Sequence, residues 1–476
     1  MENPLLNAAF DTQNFLEQAH LLLKVTEQHL SNTLSARNKK VVDWQTLEDM
    51  ISFWEDFLKN GKTEDFFEGI YERTTHTHHP KYMGHQVAAP APVTALSSAL
   101  SSVLNNGMAV YEMGMAPSAI ERIVIDNICQ HIGYEKDSGG FLTSGGSLAN
   151  LTALLAARKA IVPEDIWNEG YSRSLGIMVC EEAHYCVDRA AKIMGLGAKG
   201  IIKIPTQPNF SMDVALLEEH FNKAKANGIT IFAIIGSAPS TATGAYDDLE
   251  AIGHFARKKG IWFHADGAHG GAAIYANKYK TLLKGIQHAD SVVVDGHKML
   301  LMPTITTALL FKNKTHAQNT FSQQADYLLE ENQEDIWYQS GKMTFECTKT
   351  MMCLHWFILL KMYGEALFDE YVTRQYDLTR SFARILNGDP DFELATHPQS
   401  NILCFRWIAS EKSNKELNRL NAAIRQQLLE DGEFYIVQTQ LRGIHYLRTS
   451  LMNPFTTLDH LAQLTTKIKA VAEQIN

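Results

Sequence analysis

The chain has 476 residues, of which 45% are hydrophobic and 20% are charged, as in a globular protein rather than a disordered or fibrous one. The formal net charge of −10 argues against nucleic acid as the main partner, because phosphate binding favours a basic surface. No run of about 18 apolar residues is present, so we expect no membrane span.

The cysteine pattern and the start of the chain predict a cytoplasmic protein without a metal site. The first residues carry neither the basic segment nor the apolar run of a secretory signal. The six cysteines are scattered, and none shows the CxxC spacing of a zinc ribbon or a redox pair. We therefore expect reduced thiols.

Two hydrophobic stripes indicate helices between residues 11 and 60. One stripe contains Phe15 and Leu22, and the other contains Trp44 and Ile51. Neither stripe carries side chains suited to catalysis. We expect these faces to pack either into the core or against another subunit.

Strands and helices alternate after a mostly helical pattern at residues 93–132. This alternation is typical of a doubly wound, mostly parallel sheet with helices on both faces, in the α/β class. The predicted strands are Gly176–Cys180, Ile229–Ile235, Ile261–His264 and Ser291–Asp295, and the predicted helices are Val187–Met194, Val214–Ala226, Leu249–Lys259 and Tyr279–Gln287.

The order of elements changes near residue 366. The pattern predicts an N-terminal helical segment (1–70), a large domain (71–365) and a smaller C-terminal α+β domain (366–476). The last of these has predicted strands at Asn401–Trp407, Glu433–Thr439 and Gly443–Thr449, and predicted helices at Asn414–Leu429 and Leu458–Gln474.

Four predicted strands are each followed by a polar side chain. These side chains are His184, Thr241, Asp266 and Lys298. Because ligands bind at the carboxyl ends of the strands in an open parallel sheet, the four residues together predict a site.

A stretch rich in glycine and serine, residues 139–147, precedes the predicted helix Leu148–Lys159. Small residues before a helix N-terminus allow an anion to approach free N–H groups, and hydroxyls at Thr143, Ser144 and Ser147 could add donors. The stretch matches neither GxxxxGK[ST] nor GxGxxG, so a nucleotide site is not indicated. An ordinary helix start is the alternative.

Three of the polar residues have a chemical interpretation and a simpler one. Apolar neighbours would desolvate Lys298, lower its pKa and make its amine nucleophilic, whereas a surface lysine would extend into water. Asp266 could pair with a protonated pyridine nitrogen or cap the turn beside Gly267. His184 could lie against a ring or be a hydrogen-bonded core histidine.

Four motifs together resemble the pyridoxal-phosphate-dependent group II amino-acid decarboxylases. They are Thr-Ser-Gly-Gly-Ser (143–147), Ala-His (183–184), His-Ala-Asp-Gly-Ala (264–268) and Asp-Gly-His-Lys (295–298), in matching order and spacing. The family includes aromatic-amino-acid, glutamate, cysteine-sulfinate and 2,4-diaminobutyrate decarboxylases. The resemblance implies the fold-type I architecture, pyridoxal 5'-phosphate as cofactor, and a homodimer that residues 1–70 help to form.

The resemblance also implies a role for individual residues. Lys298 corresponds to the lysine that carries the cofactor as a Schiff base, Asp266 to the partner of the pyridine nitrogen, and His184 to the residue stacked on the ring. The remaining correspondences are Gly146 and Ser147 in the phosphate loop, Thr241, Ala268 and His297 as further cofactor contacts, Tyr327 as the mobile-loop tyrosine that reprotonates the product carbon, and His85 and Gln86 in the segment that contacts the substrate.

Several positions depart from the family pattern. Arginines of relatives are replaced at Lys349, Thr350 and Phe455, and His269 stands where relatives usually have an aromatic or another residue. Because arginine commonly binds carboxylates, these departures concern substrate recognition. His85 and Gln86 could instead lie in a loop packed at the dimer interface.

We therefore predict a decarboxylase that removes the α-carboxylate of a polar L-amino acid, acidic or similar to 2,4-diaminobutyrate, rather than an aromatic one. Acidic residues within 323–337 would suit a cationic substrate, or they form a solvated face. An aminotransferase or a carbon–carbon lyase on the same fold is the alternative. A degenerate, non-catalytic paralogue is a third, against which the intact Lys298, Asp266 and His184 argue.

Overall fold

The structure is a computed structural model that describes residues 4–321 and 338–475. Its helices are α1 (Pro4–Ala9), α2 (Thr12–Leu34), α3 (Leu47–Asn60), α4 (Phe66–Glu72), α5 (Val93–Leu104), α6 (Tyr111–Ile132), α7 (Gly146–Ile161), α8 (Ile166–Glu169), α9 (Tyr185–Ile193), α10 (Leu217–Ala226), α11 (Leu249–Lys259), α12 (Gly296–Met299), α13 (Thr315–Thr320), α14 (Ser340–Met343), α15 (Cys353–Tyr363), α16 (Ala366–Asn387), α17 (Asn414–Asp431) and α18 (Leu458–Ile475). Its strands are β1 (Gly139–Thr143), β2 (Leu175–Cys180), β3 (Ile201–Ile204), β4 (Thr230–Ser237), β5 (Trp262–Asp266), β6 (Ser291–Asp295), β7 (Thr307–Phe311), β8 (Phe392–Leu394), β9 (Ile402–Trp407), β10 (Val437–Leu441) and β11 (Ile444–Ser450).

A seven-stranded sheet forms the centre of the larger of two compact units, residues 86–383 and 396–403. The strand order is β1-β7-β6-β5-β4-β2-β3. The five strands from β6 to β3 are parallel, and β7 runs antiparallel to its neighbours β1 and β6. Helices α7, α10 and α11 pack against the strands. The predicted α/β class and mostly parallel sheet are thereby confirmed.

The predicted central strands are correct because their sequences are continuous apolar runs. Strands β2, β5 and β6 are buried along their whole length, as expected for parallel strands covered on both faces. The prediction missed β1, β3 and β7. Strand β1 is glycine-rich, but a Cβ at Gly140 would lie 2.1 Å from the Leu309 carbonyl oxygen, so close pairing with β7 requires glycine there.

One predicted helix of the large unit is wrong. In place of the predicted helix Tyr279–Gln287, the chain forms two short 3₁₀ segments, Lys280–Leu283 and Ile286–His288. Gly285 separates the segments with φ of +95°, in the left-handed region, which interrupts helical geometry.

The second unit contains residues 4–85, 384–395 and 404–475 of the described chain. Strand β10 pairs antiparallel with β11, and β8 pairs antiparallel with β9. Helix α17 contacts β11 and α18. The predicted strand Glu433–Thr439 is shifted in the structure: β10 covers Val437–Leu441, and residues 433–436 form no strand.

The N-terminal helices leave much of their apolar surface uncovered in the single chain. Phe15 is 58% exposed, Trp44 is 53% exposed and Leu58 is 87% exposed. The expectation that these side chains pack into the core of the same chain is therefore wrong. Within residues 4–321 and 338–475, no helix combines the length and the apolar character needed to cross a membrane.

Candidate active site

The carboxyl ends of β2, β4, β5 and β6 surround a cavity of about 330 Å³ in the large unit. This volume is within the range of ligand pockets. All eight predicted cofactor contacts line it, namely Gly146, Ser147, His184, Thr241, Asp266, Ala268, His297 and Lys298. The sequence prediction that these side chains converge is correct, because parallel strands end at the same edge of the sheet.

Lys298 lies on α12, immediately after β6. Its neighbours Met299 and Leu300 are fully buried, as the apolar sequence indicated. The lysine Nζ lies 3.2 Å from the Asp295 Oδ2, and the Lys298 side chain is 19% exposed. Asp295 is 1% exposed and also accepts a hydrogen bond of 2.6 Å from the Thr307 hydroxyl. Sequence reasoning missed this carboxylate, although the residue ends a predicted strand three positions before the lysine.

Asp266 is the last residue of β5, and it is buried. Its Oδ1 accepts the Ala268 N–H at 3.2 Å, so the carboxylate does cap the turn at Gly267. It also lines the cavity. In the described part of the chain, no cationic side chain forms an ion pair with Asp266. The site therefore presents a buried negative charge to a cationic group of a ligand.

His184 is the N-cap of α9, where its Nδ1 accepts the Cys186 N–H at 3.3 Å. Burial lowers the pKa of His184, although the charge of Asp266 opposes this. The imidazole is therefore neutral near pH 7 and carries its proton on Nε2. The second imidazole, of His297, donates from Nδ1 to the Thr306 carbonyl at 3.0 Å.

The glycine-rich loop ends at the N-terminus of α7, which begins with Gly146. A Cβ at Gly146 would lie 3.1 Å from the Asp295 Oδ2 and 3.4 Å from the Ala268 Cβ, so the loop packs tightly there. Residues 144–147 line the cavity. The first N–H groups of a helix have no partner within the helix, and they attract anions.

The hydroxyl and backbone donors at the start of this loop are already engaged. The Thr143 hydroxyl donates to the Glu346 carboxylate at 3.1 Å, and the Ser144 N–H donates to it at 3.0 Å. The expectation that the Thr143 hydroxyl could serve an anion is therefore wrong. Glu346 instead holds the loop to the segment near residue 349.

Lys349 stands where relatives carry an arginine, and it supports the strand before the loop. Its buried ammonium contacts the Glu121 carboxylate and donates to the Leu142 carbonyl at 2.9 Å. Glu121 also accepts the Leu142 N–H at 3.1 Å. The backbone N–H and the carbonyl of Leu142 are thus both hydrogen-bonded to this ion pair, so Lys349 stabilises the backbone of β1.

Three predicted residues lie apart from this cavity or outside the described chain. Tyr327 is outside the described residues. Gln86 is not a lining residue, and its Nε2 is buried without a hydrogen-bond partner in the described part of the chain. His85 belongs to the second unit, where its ring centroid lies 5.9 Å from that of Tyr435.

The lining residues fit pyridoxal phosphate. Lys298 offers an amine for an aldehyde, Asp266 a buried carboxylate for a protonated ring nitrogen, and His184 a neutral flat ring. The first N–H groups at the N-terminus of α7 suit a phosphate. Within residues 4–321 and 338–475, no three His, Cys, Asp or Glu residues form a group that could hold a metal.

The chain is similar to known decarboxylases along most of its length. The family described as "Pyridoxal-dependent decarboxylase conserved domain" matches residues 60–408. An aromatic-L-amino-acid decarboxylase of Bacillus atrophaeus is 28% identical, with 88% of this chain and 90% of the relative covered. An aspartate 1-decarboxylase of Aliivibrio fischeri is 27% identical, with 86% and 82% covered. The crystal structure of mouse CSAD superposes with a TM-score of 0.90, 21% identity, and 97% and 99% of the two chains covered.

Proposed function

The chain belongs to the pyridoxal-dependent decarboxylase family and is a pyridoxal-phosphate-dependent amino-acid decarboxylase; we propose that its substrate is a polar L-amino acid, acidic or similar to 2,4-diaminobutyrate. We further propose that Lys298 carries the cofactor. The observation behind both proposals is that Lys298, Asp266 and His184 line one cavity together with further polar side chains. The family is one of decarboxylases, so the alternatives of an aminotransferase or a different carbon–carbon lyase do not fit it.

Each lining residue has a proposed task that follows from its geometry. When bound, pyridoxal phosphate supplies a conjugated ring that accepts the electron pair left on the α-carbon as carbon dioxide departs. The Asp266 carboxylate would hold a proton at the ring nitrogen. The neutral His184 ring would fix the ring plane, and the N–H groups of Gly146 and Ser147 would bind the phosphate. Tyr327 would protonate the α-carbon of the product.

Part of the cavity lining is not assigned to the cofactor, and its composition supports a polar substrate. These residues include Ser237, His269 and Asp295, and the described lining contains no Phe, Tyr or Trp. His269, which stands where relatives usually have an aromatic or another residue, lines the cavity and accordingly adds a polar ring. The two relatives above differ by only one per cent in identity, and their names refer to aromatic and to acidic substrates. Similarity alone therefore does not distinguish the substrate classes.

We propose that His85 and Gln86 contact the substrate. The buried Nε2 of Gln86 lacks a hydrogen-bond partner in the described chain, which is a costly arrangement unless a ligand supplies an acceptor. We expect Gln86→Ala to raise KM about tenfold with little change in kcat, since one hydrogen bond to a charged group is lost. Steady-state kinetics of the variant measure this, and an unchanged KM would refute the contact.

We propose a cytoplasmic homodimer in which the N-terminal helices form part of the interface. The exposed apolar side chains of α1–α3, such as Leu5, Phe15 and Leu58, form a surface that a second copy would cover. Light scattering of the purified chain measures its mass, and a monomer at micromolar concentration would contradict the proposal.

Release of carbon dioxide from a panel of L-amino acids tests the proposed substrate. The panel contains aspartate, glutamate, cysteine sulfinate, 2,4-diaminobutyrate, ornithine, lysine, tyrosine, tryptophan and histidine. We expect release from a polar member, whereas release from tyrosine or tryptophan alone would refute the substrate class. Borohydride reduction followed by peptide mapping tests the cofactor lysine, and a pyridoxyl group on any residue other than Lys298 would refute that role.

A further inference from the structure

A chain of four hydrogen bonds crosses the interior from β5 to the glycine-rich loop. The Trp262 Nε1–H donates to the Ser291 hydroxyl oxygen at 2.9 Å, and Ser291 lies 2.8 Å from the His264 Nδ1. The His264 Nε2 lies 2.8 Å from the Asn150 Oδ1, and the Asn150 Nδ2 donates to the Gly146 carbonyl at 2.8 Å. We call these residues the relay.

The two ends of the relay constrain the direction of its hydrogen bonds. The Gly146 carbonyl only accepts, so the Asn150 amide nitrogen faces it and the Asn150 oxygen faces His264. The His264 Nε2 therefore carries a proton and donates. At the other end the Trp262 indole only donates, so the Ser291 oxygen accepts there, and the Ser291 hydroxyl hydrogen is available to an unprotonated His264 Nδ1.

This arrangement requires a neutral His264, because a protonated Nδ1 could not accept from Ser291. Burial lowers the pKa of His264 to about 4, so the imidazole is neutral near pH 7. Trp262, His264, Asn150 and Ser291 are each at most 2% exposed, so water does not compete for their hydrogen bonds. The relay is thus fully satisfied in a single tautomer.

Gly146 is the residue that the relay holds. Gly146 begins α7 and Asn150 lies one turn later, so the helix already points the Gly146 carbonyl toward Asn150, and the Asn150 amide adds a hydrogen bond to it. In a trans peptide the carbonyl and the following N–H point in opposite directions, so this carbonyl keeps the Ser147 N–H directed away from the relay. That N–H belongs to the first turn of α7, beside the cavity. Asp266, which also lines the cavity, lies two residues after His264 on the same strand.

We infer that Asn150 and His264 are positioning residues for the cofactor phosphate: through the relay they orient the Gly146–Ser147 peptide of the loop. The inference rests on the proposed function of that loop. His264 does not line the cavity, whereas Asn150 does, so the main variants of the test are placed at His264. The effect of both residues is therefore on binding of the phosphate, and it is separable from the effect of Lys298 on catalysis.

The test compares two ligands of the full-length apoenzyme, pyridoxal 5'-phosphate and pyridoxal, which lacks the phosphate. Absorbance titration gives both dissociation constants. We expect His264→Phe to weaken binding of the phosphate form about 10- to 100-fold and of pyridoxal less than about threefold, because an unpaired Asn150 oxygen releases the loop. His264→Gln retains an N–H donor and should restore most of the selectivity.

His355→Phe is the matched control. His355 is also a buried histidine, its Nδ1 lies 2.8 Å from the Ser97 hydroxyl, and it is not part of the relay. We expect this variant to keep the wild-type ratio of the two dissociation constants. Equal weakening of both ligands by His264→Phe, the same change of ratio in His355→Phe, or failure of His264→Gln to restore selectivity would overturn the inference.

A milder variant keeps the inference testable if His264→Phe does not fold. Ser291→Ala removes one link and should give a smaller, still phosphate-selective loss, about threefold to tenfold. An unchanged ratio in Ser291→Ala would overturn the inference while leaving the proposed function intact. A wild-type protein that binds no pyridoxal phosphate would overturn the proposed function, and the inference with it.

Discussion

Two cavities of the large unit each include a lysine that pairs with an aspartate, but the two pairs differ in burial. At the carboxyl edge the cavity measures about 330 Å³, and Lys298 lies 3.2 Å from Asp295, which is 1% exposed. At the amino edge, where β2 and β3 begin, the cavity measures about 1030 Å³. Lys203, which also lines this larger cavity, lies 2.6 Å from Asp188, and the two side chains are 36% and 31% exposed.

We infer from this difference that buried charge, rather than cavity size, distinguishes the proposed active site. The larger cavity is lined by lysines in contact with water, so their charges are screened and their pairing contributes little energy. In the smaller cavity a buried carboxylate and a partly buried lysine interact in a low dielectric, where chemistry responds strongly to charge. The shorter ion pair, between Lys203 and Asp188, is thus expected to affect chemistry less than the pair of Lys298 and Asp295.

Replacing the two lysines in turn should give the largest contrast. We expect Lys298→Ala to lower kcat/KM at least about a thousandfold, because the amine that carries the cofactor is lost. Lys203→Ala should stay within about twofold of the wild type, since it removes only an exposed pair. Carbon dioxide release with the substrate found in the panel measures both, and substantial activity of Lys298→Ala would refute the assigned site.

Ion-pair burial should also separate the two regions in stability. Lys349, buried beneath the glycine-rich loop, contacts Glu121, and we expect Lys349→Met to lower the free energy of unfolding by about 3–5 kcal/mol. The cause is the unpaired buried carboxylate that remains. Lys203→Met should cost less than about 1 kcal/mol. Urea denaturation measures both variants, and similar losses would contradict the distinction.

A second substitution isolates the role of the unpaired carboxylate. Combining Lys349→Met with Glu121→Leu removes both charges and should recover part of the lost stability. A further loss in the double variant would indicate that Lys349 stabilises β1 chiefly through the Leu142 carbonyl.

A smaller effect than those of the lysine variants is expected in the pH dependence of stability, and it comes from one buried carboxyl group. Asp247 is buried near the carboxyl edge, where it accepts the Ser237 N–H at 2.8 Å, and burial raises its pKa to about 6. A raised native pKa means that the folded state binds more protons than the unfolded state between about pH 4 and pH 6. Stability is therefore lost as pH rises through that window, by about 3 kcal/mol.

Asp247→Asn should remove this loss, because the amide does not titrate. The free energy of unfolding of the variant relative to the wild type should rise by about 3 kcal/mol between pH 4 and pH 6. A constant offset from the lost hydrogen bond is expected at every pH. Denaturation at several pH values measures the difference, and parallel profiles would contradict the raised pKa.

Local sequence patterns predicted the elements whose environment is uniform along their length. The apolar runs of β4 and β6 fill a sheet interior, so their hydrophobicity alone reports the strand. Strand β1 was missed because its glycines serve close pairing with β7, which is distant in sequence. The same limit applies to Lys349, whose partner Glu121 lies more than two hundred residues away.

The sequence by itself determined the family and the residues that meet in the cavity, because strand ends place His184, Asp266 and Lys298 at one edge in a fixed order. Only the tertiary structure decided that Asp295 pairs with Lys298 and that His264 connects Ser291 to Asn150. The physical reason is that hydrogen-bond partners and tautomers depend on distances between elements, whereas periodicity describes each element alone. The groups that act were therefore readable from the chain, and the groups that position them were not.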